Sequence, residues 1–484
     1  MATGVKTTRR VFVAGAAVSL GLASAPGLAS AKKKPQPNII FIMADDLGYA
    51  DISCYGRTDY ATPHIDRLAE RGMRFMQAYA NSPVCSATRT ALMTGRYQYR
   101  LPVGLEEPLA FRDLGLPVDH PTLPSMLRDA GYTTALIGKW HLGQLPTYGP
   151  LQSGYDHFWG FRGGGVDYFT HSAMGNGDLW DGDTKIEESG YLTKLLGDHA
   201  IQLVERFAKS SKPFFMSLHF SAPHWPWEGP DDEAESKRLA GIKGLAGIMH
   251  YDGGDLKTYA AMVRSMDDQV GRLVQALKKN GIDDNTLIIF TSDNGGERFS
   301  NTWPFTGRKT ELLEGGLRIP AIVTWPGRVA AGSSSEQVMI TMDWVPTLLA
   351  AAGARADPRY PGDGMDLAMA LRGGKPVGRT LYWRYMHMLQ KACRSGDWKY
   401  LKILDNEFLF DVAADPLERA NLKVREAATF DRLKQGYAAW EAGMLPLDPA
   451  AFTHGYTGAE LPDHFGISNP KMIGDFAPAP HLPD

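Results

Sequence analysis

The stretch SPVCSATRTALMTGRY, Ser82 to Tyr97, sets one of only three cysteines in the 484-residue chain four residues before an arginine. Helix-forming residues follow Cys85, Gly95 ends them, and Pro83 closes the segment before, so a helix is predicted to open at Cys85. Free N–H groups and the macrodipole favour negative charge at a helix start, and Arg89 lies one turn on along the same face. Together they make a ready anion site. Other charged or metal-capable residues recur in short clusters: Asp45 with Asp46, Lys139 with His141, His224, and Asp293 with Asn294.

Each cluster ends a run that reads as a buried strand. NIIFIMA runs from Asn38 into Asp45 and Asp46, and TTALIGKWH ends in Lys139 and His141. KPFFMSLHFSAPH carries His224 past its end, and NTLIIFTSDN ends in Asp293 and Asn294 before a Gly-Gly turn. Between the last two, Tyr259, Met262, Met266, Val270, Leu273 and Leu277 share one helical face, and Gly281 stops the helix. Strands alternating with helices predict an α/β fold on a large, mostly parallel sheet flanked by helices. Ligands bind such sheets at the carboxyl edge of the strands. One Asp pair after a strand reads as a turn, but four such endings predict a shared site. Beyond DLAMALRGGKPVGR the texture changes: RTLYWRY, DWKYLKIL and NEFLFDV read as hairpin strands, ATFDRLKQGYAAWEAGM as a helix, and a Pro-rich tail follows. The expected organisation is an α/β domain over 32–372 and a smaller C-terminal subdomain, an antiparallel sheet plus a helix, over 373–484.

With 44% hydrophobic and 22% charged residues the chain has the composition of an ordinary globular protein. A net charge of −3 and the lack of a long basic run argue against a nucleic-acid partner. Three cysteines are too few for a disulfide framework; Cys54 and Cys393 are expected as buried thiols, with a bond between them the alternative. The first residues read as an address label. Arg9 and Arg10 stand between Thr8 and Phe12, a short Ala/Gly/Val run follows, and Ala29-Ser30-Ala31 offers a small-x-small cleavage site. The apolar run is shorter than the ~20 residues a membrane helix needs, so no stable membrane anchor is expected. Residues 1–31 resemble a twin-arginine signal peptide, and the mature protein is expected to be periplasmic or secreted.

CSATRTALMTGR resembles the signature of the type I sulfatases, formylglycine-dependent and arylsulfatase-like enzymes of the alkaline-phosphatase superfamily. NIIFIMADDLGYADISCYG, TPHIDRLAERGMRF, IGKWHLG, SAPHWPW, TSDNGG, GRKTELLEGGLRIP and LFDVAADPLERANL resemble further family segments, in order along about nine tenths of the mature chain. A lone C-x-x-x-R arises often by chance, whereas an ordered set of this kind does not.

The resemblance implies hydrolysis of sulfate monoesters. Cys85 would be oxidised to Cα-formylglycine by a maturation enzyme, and Asp45, Asp46, Asp293, Asn294 and an oxygen of the modified Cys85 would bind one divalent cation. An all-oxygen set with three carboxylates suits calcium, with magnesium the alternative. Arg89, Lys139, His141, His224 and Lys309 match the family's sulfate-binding and proton-transfer positions. Three carboxylates balance three cations, so a divalent ion leaves about +2 for an anionic substrate to neutralise. In the implied chemistry one hydroxyl of the hydrated aldehyde attacks sulfur in line and displaces the alcohol; the other is then deprotonated, the C=O re-forms and sulfate leaves. By analogy His141 is the base of the second step, and His224 and Lys309 serve the leaving-group oxygen. The ester, a small-molecule aryl sulfate or a carbohydrate sulfate, is left open because pocket loops set that choice.

One residue departs from the family pattern: Ala87 stands where proline is commonest, which leaves open the maturation system that acts. A phosphonate or phosphate ester hydrolase on the same fold is the alternative reading; Asn294, where the two-metal phosphatases carry a histidine ligand, favours the sulfatase. The intact set opposes a third reading, a carbohydrate-binding protein without turnover. Trp225 and Trp227 are expected either to stack on a substrate ring or to pack in the core. GFRGGGVDYFTH resembles a loop near the pocket, in which Asp167 and His171 are candidates for touching substrate. Gly315 and Gly316 are expected to shape a turn that positions Lys309. His64, His157, His199, His219 and His387, and by default His171, are assigned to packing or surface.

Overall fold

Alternating side chains decide the architecture. Along β1 (Asn38–Ala44), Ile39, Phe41 and Met43 face one way, Ile40, Ile42 and Ala44 the other, and all six are fully buried. A strand buried on both faces belongs in the middle of a parallel sheet covered by helices on both sides. The computed structural model, which describes residues 36–109, 112–447 and positions 1, 4, 7, 8 and 451, has that arrangement. The twin-arginine pair, the cleavage site and the tail beyond 451 lie outside the described residues.

The other strands of this sheet are β2 (Met73–Phe75), β3 (Thr133–Lys139), β4 (His157–Phe161), β5 (Trp180–Asp181), β6 (Thr184–Lys185), β7 (Phe214–His219), β8 (Thr286–Ser292), β9 (Ala321–Thr324) and β10 (Ser333–Ser335). Their order is β10-β2-β9-β8-β1-β7-β3-β4-β5-β6. The centre, β8-β1-β7-β3-β4, is parallel throughout, and antiparallel pairs appear only toward the two edges.

Among the helices, α1 (Pro63–Glu70), α3 (Leu192–Phe207) and α4 (Leu256–Lys279) cover one face, where Ile40, Ile42 and Met216 meet Leu196, Met262 and Met266. On the other face Ile39, Phe41 and Phe215 pack with Leu92 and Met93 of α2 (Cys85–Thr94) and with Trp344. The predicted apolar stripe of α4 is buried along its whole length, Asp255 caps its start by accepting from Thr258 N at 2.7 Å, and Gly281 follows at φ 67°.

A smaller antiparallel sheet follows: β11 (Thr380–Tyr385), β12 (Gln390–Ser395), β13 (Trp398–Ile403) and β14 (Asn406–Asp411). Its Cys393, Tyr400 and Leu409 pack against Leu433 and Tyr437 of α5 (Ala427–Glu441). Its opposite face, Leu381, Trp383, Leu401 and Phe410, packs on Tyr79, Ala91 and Leu312. β12 is an addition to the three strands expected: QKACRS lacks the β-branched and aromatic residues that mark its neighbours. All three cysteines are free thiols, Cys393 buried and Cys54 only half-buried.

The segment after β1 is held by one buried carboxylate. Asp51 accepts from Gly48 N at 2.6 Å, the Tyr259 hydroxyl at 2.6 Å, Asn301 N at 2.7 Å and the Arg57 guanidinium at 2.9 Å, tying the 46–57 segment to α4 and to the loop at 300. Removing it strands several donors and a buried cation. Asp51→Ala is expected to lower the unfolding free energy by about 3–5 kcal/mol in denaturant titrations. Asp59→Ala, which removes the half-exposed partner of Arg57, should cost under about 1 kcal/mol. Equal effects would contradict this assignment.

Candidate active site

The register of the central strands brings the clusters together. Ala44 pairs with Ser292, Met43 with His219, and His219 with Gly138, so β8, β1, β7 and β3 finish side by side. Gly138, at φ 110°, permits this: a Cβ there would lie 1.8 Å from the His219 carbonyl oxygen. Asp45 and Asp46 leave β1, Lys139 closes β3, and Asp293 and Asn294 leave β8. Asp46 and His141 adopt left-handed φ of 61° and 57°, conformations that persist in non-glycine residues only when the surroundings fix them. Cys85 is the first residue of α2, as expected, and is buried. His224 follows β7 through a turn closed by its N–H on Ser221 O at 2.9 Å.

Lys309 arrives on a long loop after β8. Its N–H donates to Gly296 O at 3.0 Å, and Gly315 N donates to Thr306 O at 2.7 Å. A Cβ on Gly316 would meet the Glu311 and Arg308 carbonyls at 2.1 and 2.4 Å, so this glycine pair does shape the turn, as expected. Gln390, at the start of β12, accepts from Leu312 N at 2.8 Å and donates to Thr310 O at 2.8 Å. The small sheet thereby grips the Lys309 loop.

Each carboxylate has one hydrogen-bonded cation, while Arg89 also lies 3.8 Å from Asp45 Oδ1 and Lys309 3.8 Å from Glu297 Oε2. Lys139 Nζ donates to Asp45 Oδ2 at 2.5 Å, Arg89 to Asp293 Oδ2 at 2.8 Å and Lys309 Nζ to Asp46 Oδ2 at 2.7 Å. Arg89 also donates to Lys139 O at 3.2 Å, and His224 Nε2 is 3.6 Å from Asp46 Oδ2. His141 Nδ1 faces Cys85 Sγ at 3.3 Å. The ten residues expected to serve catalysis or hold the metal lie in this cluster.

Burial governs the protonation balance. It raises the Asp45 carboxyl well above its usual range, with Asp293 adding to the effect. Burial opposes ionisation of Asp293 too, but Arg89 and Lys139 outweigh it and hold that carboxylate below its usual range. Burial opposes the charge of Lys139 and Lys309, and Asp45 and Asp46 respectively more than restore it. The Cys85 thiol is pushed up by burial despite Lys139 and Lys309, so plain cysteine here is a protonated thiol. Burial lowers His141, and burial with Lys309 lowers His224 further.

The donor set fits a hard cation. Ligand atoms of Asp45, Cys85 and Asp293 lie within 4.8 Å of one another. Asp45 Oδ1 and Asn294 Oδ1 are buried without a hydrogen-bond partner among the described residues, a costly state that an ion would relieve. The Asn294 amide donates to Asp46 Oδ1 at 2.7 Å, which leaves its carbonyl oxygen as the donor atom.

Other residues of the site carried no sequence signal strong enough to find them. Glu107 Oε1 lies 2.9 Å from His141 Nε2. His219, assigned to packing, is buried, but its Nδ1 is 3.3 Å from Arg89 and 3.2 Å from Lys139 O; burial and Arg89 push it down to about 3, so it backs the site as a neutral ring. Trp227 is a core residue stacked under Arg298. Trp225 is half-buried, its ring 3.9 Å from His224 and 5.6 Å from Lys309 Nζ, beside the cluster. Asp167 and His171 turn inward: Asp167 accepts from Thr170 N at 2.7 Å and from the Ser236 hydroxyl, and His171 Nε2 meets Gly190 O at 3.0 Å.

In that loop it is the glycines that reach the site. Asp178 takes the N–H of Gly163 at 2.7 Å and pins the turn. A Cβ on Gly164 would sit 2.9 Å from the His141 ring, and one on Gly165 3.0 Å from His224. Gly164→Val should therefore displace the imidazole. A shift near 1 Å lowers turnover by about a hundredfold, and we expect that loss in kcat with little change in melting temperature. Unchanged kcat would show that the loop does not press on His141.

Residues 37–354 match the family model described as Sulfatase. The chain is 31% identical to N-acetylgalactosamine-6-sulfatase of Rattus norvegicus over 389 residues, 75% of this chain and 71% of that protein. Among solved structures it resembles Ps i-CgsB in complex with k-i-k-neocarrahexaose, at 33% identity and a TM-score of 0.76 over 84% of this chain and 92% of that one. It also resembles BT4656 in complex with D-glucosamine-2-N,6-O-disulfate, at 26% identity and a TM-score of 0.67 over 84% and 98%. The ordered motifs, the sheet and these relatives agree, and the chain belongs to the type I sulfatases of the alkaline-phosphatase superfamily.

Proposed function

We propose that this sulfatase hydrolyses a carbohydrate sulfate ester, using Cys85 oxidised to Cα-formylglycine and one calcium-like cation. The observation that carries the reading is the seat of residue 85: a buried helix start, its Sγ within 4.8 Å of carboxylate oxygens of Asp45 and Asp293 and 3.3 Å from His141 Nδ1. A thiol held protonated is a poor nucleophile, whereas a hydrated aldehyde at the same carbon supplies oxygen. A bound divalent ion would be held by Asp45, Asp46, Asp293 and Asn294 and would supply Lewis acidity toward sulfate and residue 85.

The remaining work falls to the chain's own groups. Arg89, Lys139 and Lys309 offer fixed positive charge to the sulfate oxygens, preorganised by burial. His141 Nδ1 is placed to take a proton from the group at position 85. His224 Nδ1 lies 2.7 Å from Trp225 O, which orients the ring with Nε2 toward the pocket; there it and Lys309 serve the leaving oxygen. A sugar is favoured over an aryl group because three relatives carry carbohydrates in their names or complexes, and Trp225 offers a ring face beside Lys309. Arg9 and Arg10 support twin-arginine export of the finished enzyme.

A chromogenic aryl sulfate assay tests the chemistry, and a sulfated-glycan panel tests the substrate class. EDTA should abolish turnover and added calcium restore it; activity indifferent to chelation would overturn the metal assignment. His141→Ala is expected to release about one equivalent of phenol per enzyme and then slow by 10²–10⁴-fold. Free turnover in that variant would remove His141 from the base role.

A further inference from the structure

Glu107 lies on a stretch, GLEEPLA, that shows no chemical pattern in the sequence. The chain brings it back to the site after α2 through two short turns, Gln98–Arg100 and Pro102–Gly104. Its side chain is 29% exposed, yet Oε1 lies 2.9 Å from Nε2 of the buried His141 ring. The other nitrogen of that ring points at Cys85 Sγ, 3.3 Å away. Carboxylate, imidazole and residue 85 thus stand in series.

We infer that Glu107 is a positioning residue that fixes the tautomer and orientation of His141. A neutral imidazole carries one proton on two nitrogens, and its partners decide which one bears it. A negative carboxylate 2.9 Å away favours the proton on Nε2 and so leaves the lone pair on Nδ1, the atom facing residue 85. Gly164, with space for no side chain against the ring, holds the other edge of His141. The inference rests on the proposed role of His141 as base and adds the residue that makes Nδ1 the basic atom.

A double-mutant cycle with a chromogenic aryl sulfate tests it. Glu107→Ala should lower kcat by about a hundredfold with KM nearly unchanged, and should keep a burst of about one equivalent of phenol before the slow phase. In a His141→Ala background the same change should have no further effect. Glu107→Gln, which keeps the volume, should fold like the parent and lose kcat to a lesser degree, with the burst retained. Additive losses in the double variant, a loss confined to KM, or an unchanged kcat in both Glu107 variants would overturn the inference. Wild-type turnover in His141→Ala alone would instead refute the base role while leaving the contact unexplained, so the two failures are distinguishable.

Discussion

Three buried carboxylates, each paired with a cation from another segment, are the constraint on which the rest of the molecule depends. Lys139 with Asp45, Arg89 with Asp293 and Lys309 with Asp46 come from five separate segments, and no pair is local in sequence. An uncompensated charge at such depth costs several kcal/mol, so each segment is usable only when the others are in place. That requirement explains why four central strands end in register, why Gly138 lies against a neighbouring carbonyl, and why two non-glycine residues accept left-handed backbone at the rim. Glu297 Oε2, 3.8 Å from Lys309 Nζ, and Glu107 Oε1, 2.9 Å from His141 Nε2, add two further carboxylates to the same cluster.

The small C-terminal sheet belongs to the same system. Lys399 Nζ sits fully buried between Glu314 Oε1 at 3.0 Å and Glu418 Oε1 at 2.9 Å, while Glu314 also accepts from Arg318. Thr306 donates to Leu417 O, and Gln390 ties β12 to both sides of Glu311. These contacts close on the loop that carries Lys309. The appended sheet therefore does more than extend the core: it holds one of the three cations at a fixed distance from its carboxylate.

Much of this was legible in the sequence, and the reasons differ by residue. Asp45, Lys139 and Asp293 were readable because each ends a run of apolar residues whose burial on both faces is written in composition. Cys85 and Arg89 were readable from helix-start chemistry at one-turn spacing. The roles and the ion came from the ordered family resemblance, since spacing alone cannot say which side chains meet. Glu107 and Gln390 lay beyond reach because they act through a loop and the start of a strand of polar texture, whose paths follow tertiary packing. β12 escaped because its buried Arg394 and Gln390 read as polar until Tyr79, Gln77 and the Lys309 loop are placed beside them. The Asp167 and His171 candidates illustrate the converse: reactive side chains in a pocket loop turned inward to hold it, leaving glycine to touch the site.

The central proposal is that oxygen at residue 85, not sulfur, does the chemistry at this cluster of charges. Peptide mass spectrometry across the Cys85 segment, run on fractions of known specific activity, tests it most directly. The expected result is that activity rises in proportion to the fraction of residue 85 recovered as aldehyde and vanishes in wholly thiol material. Full turnover by protein in which residue 85 is entirely unmodified cysteine would contradict it.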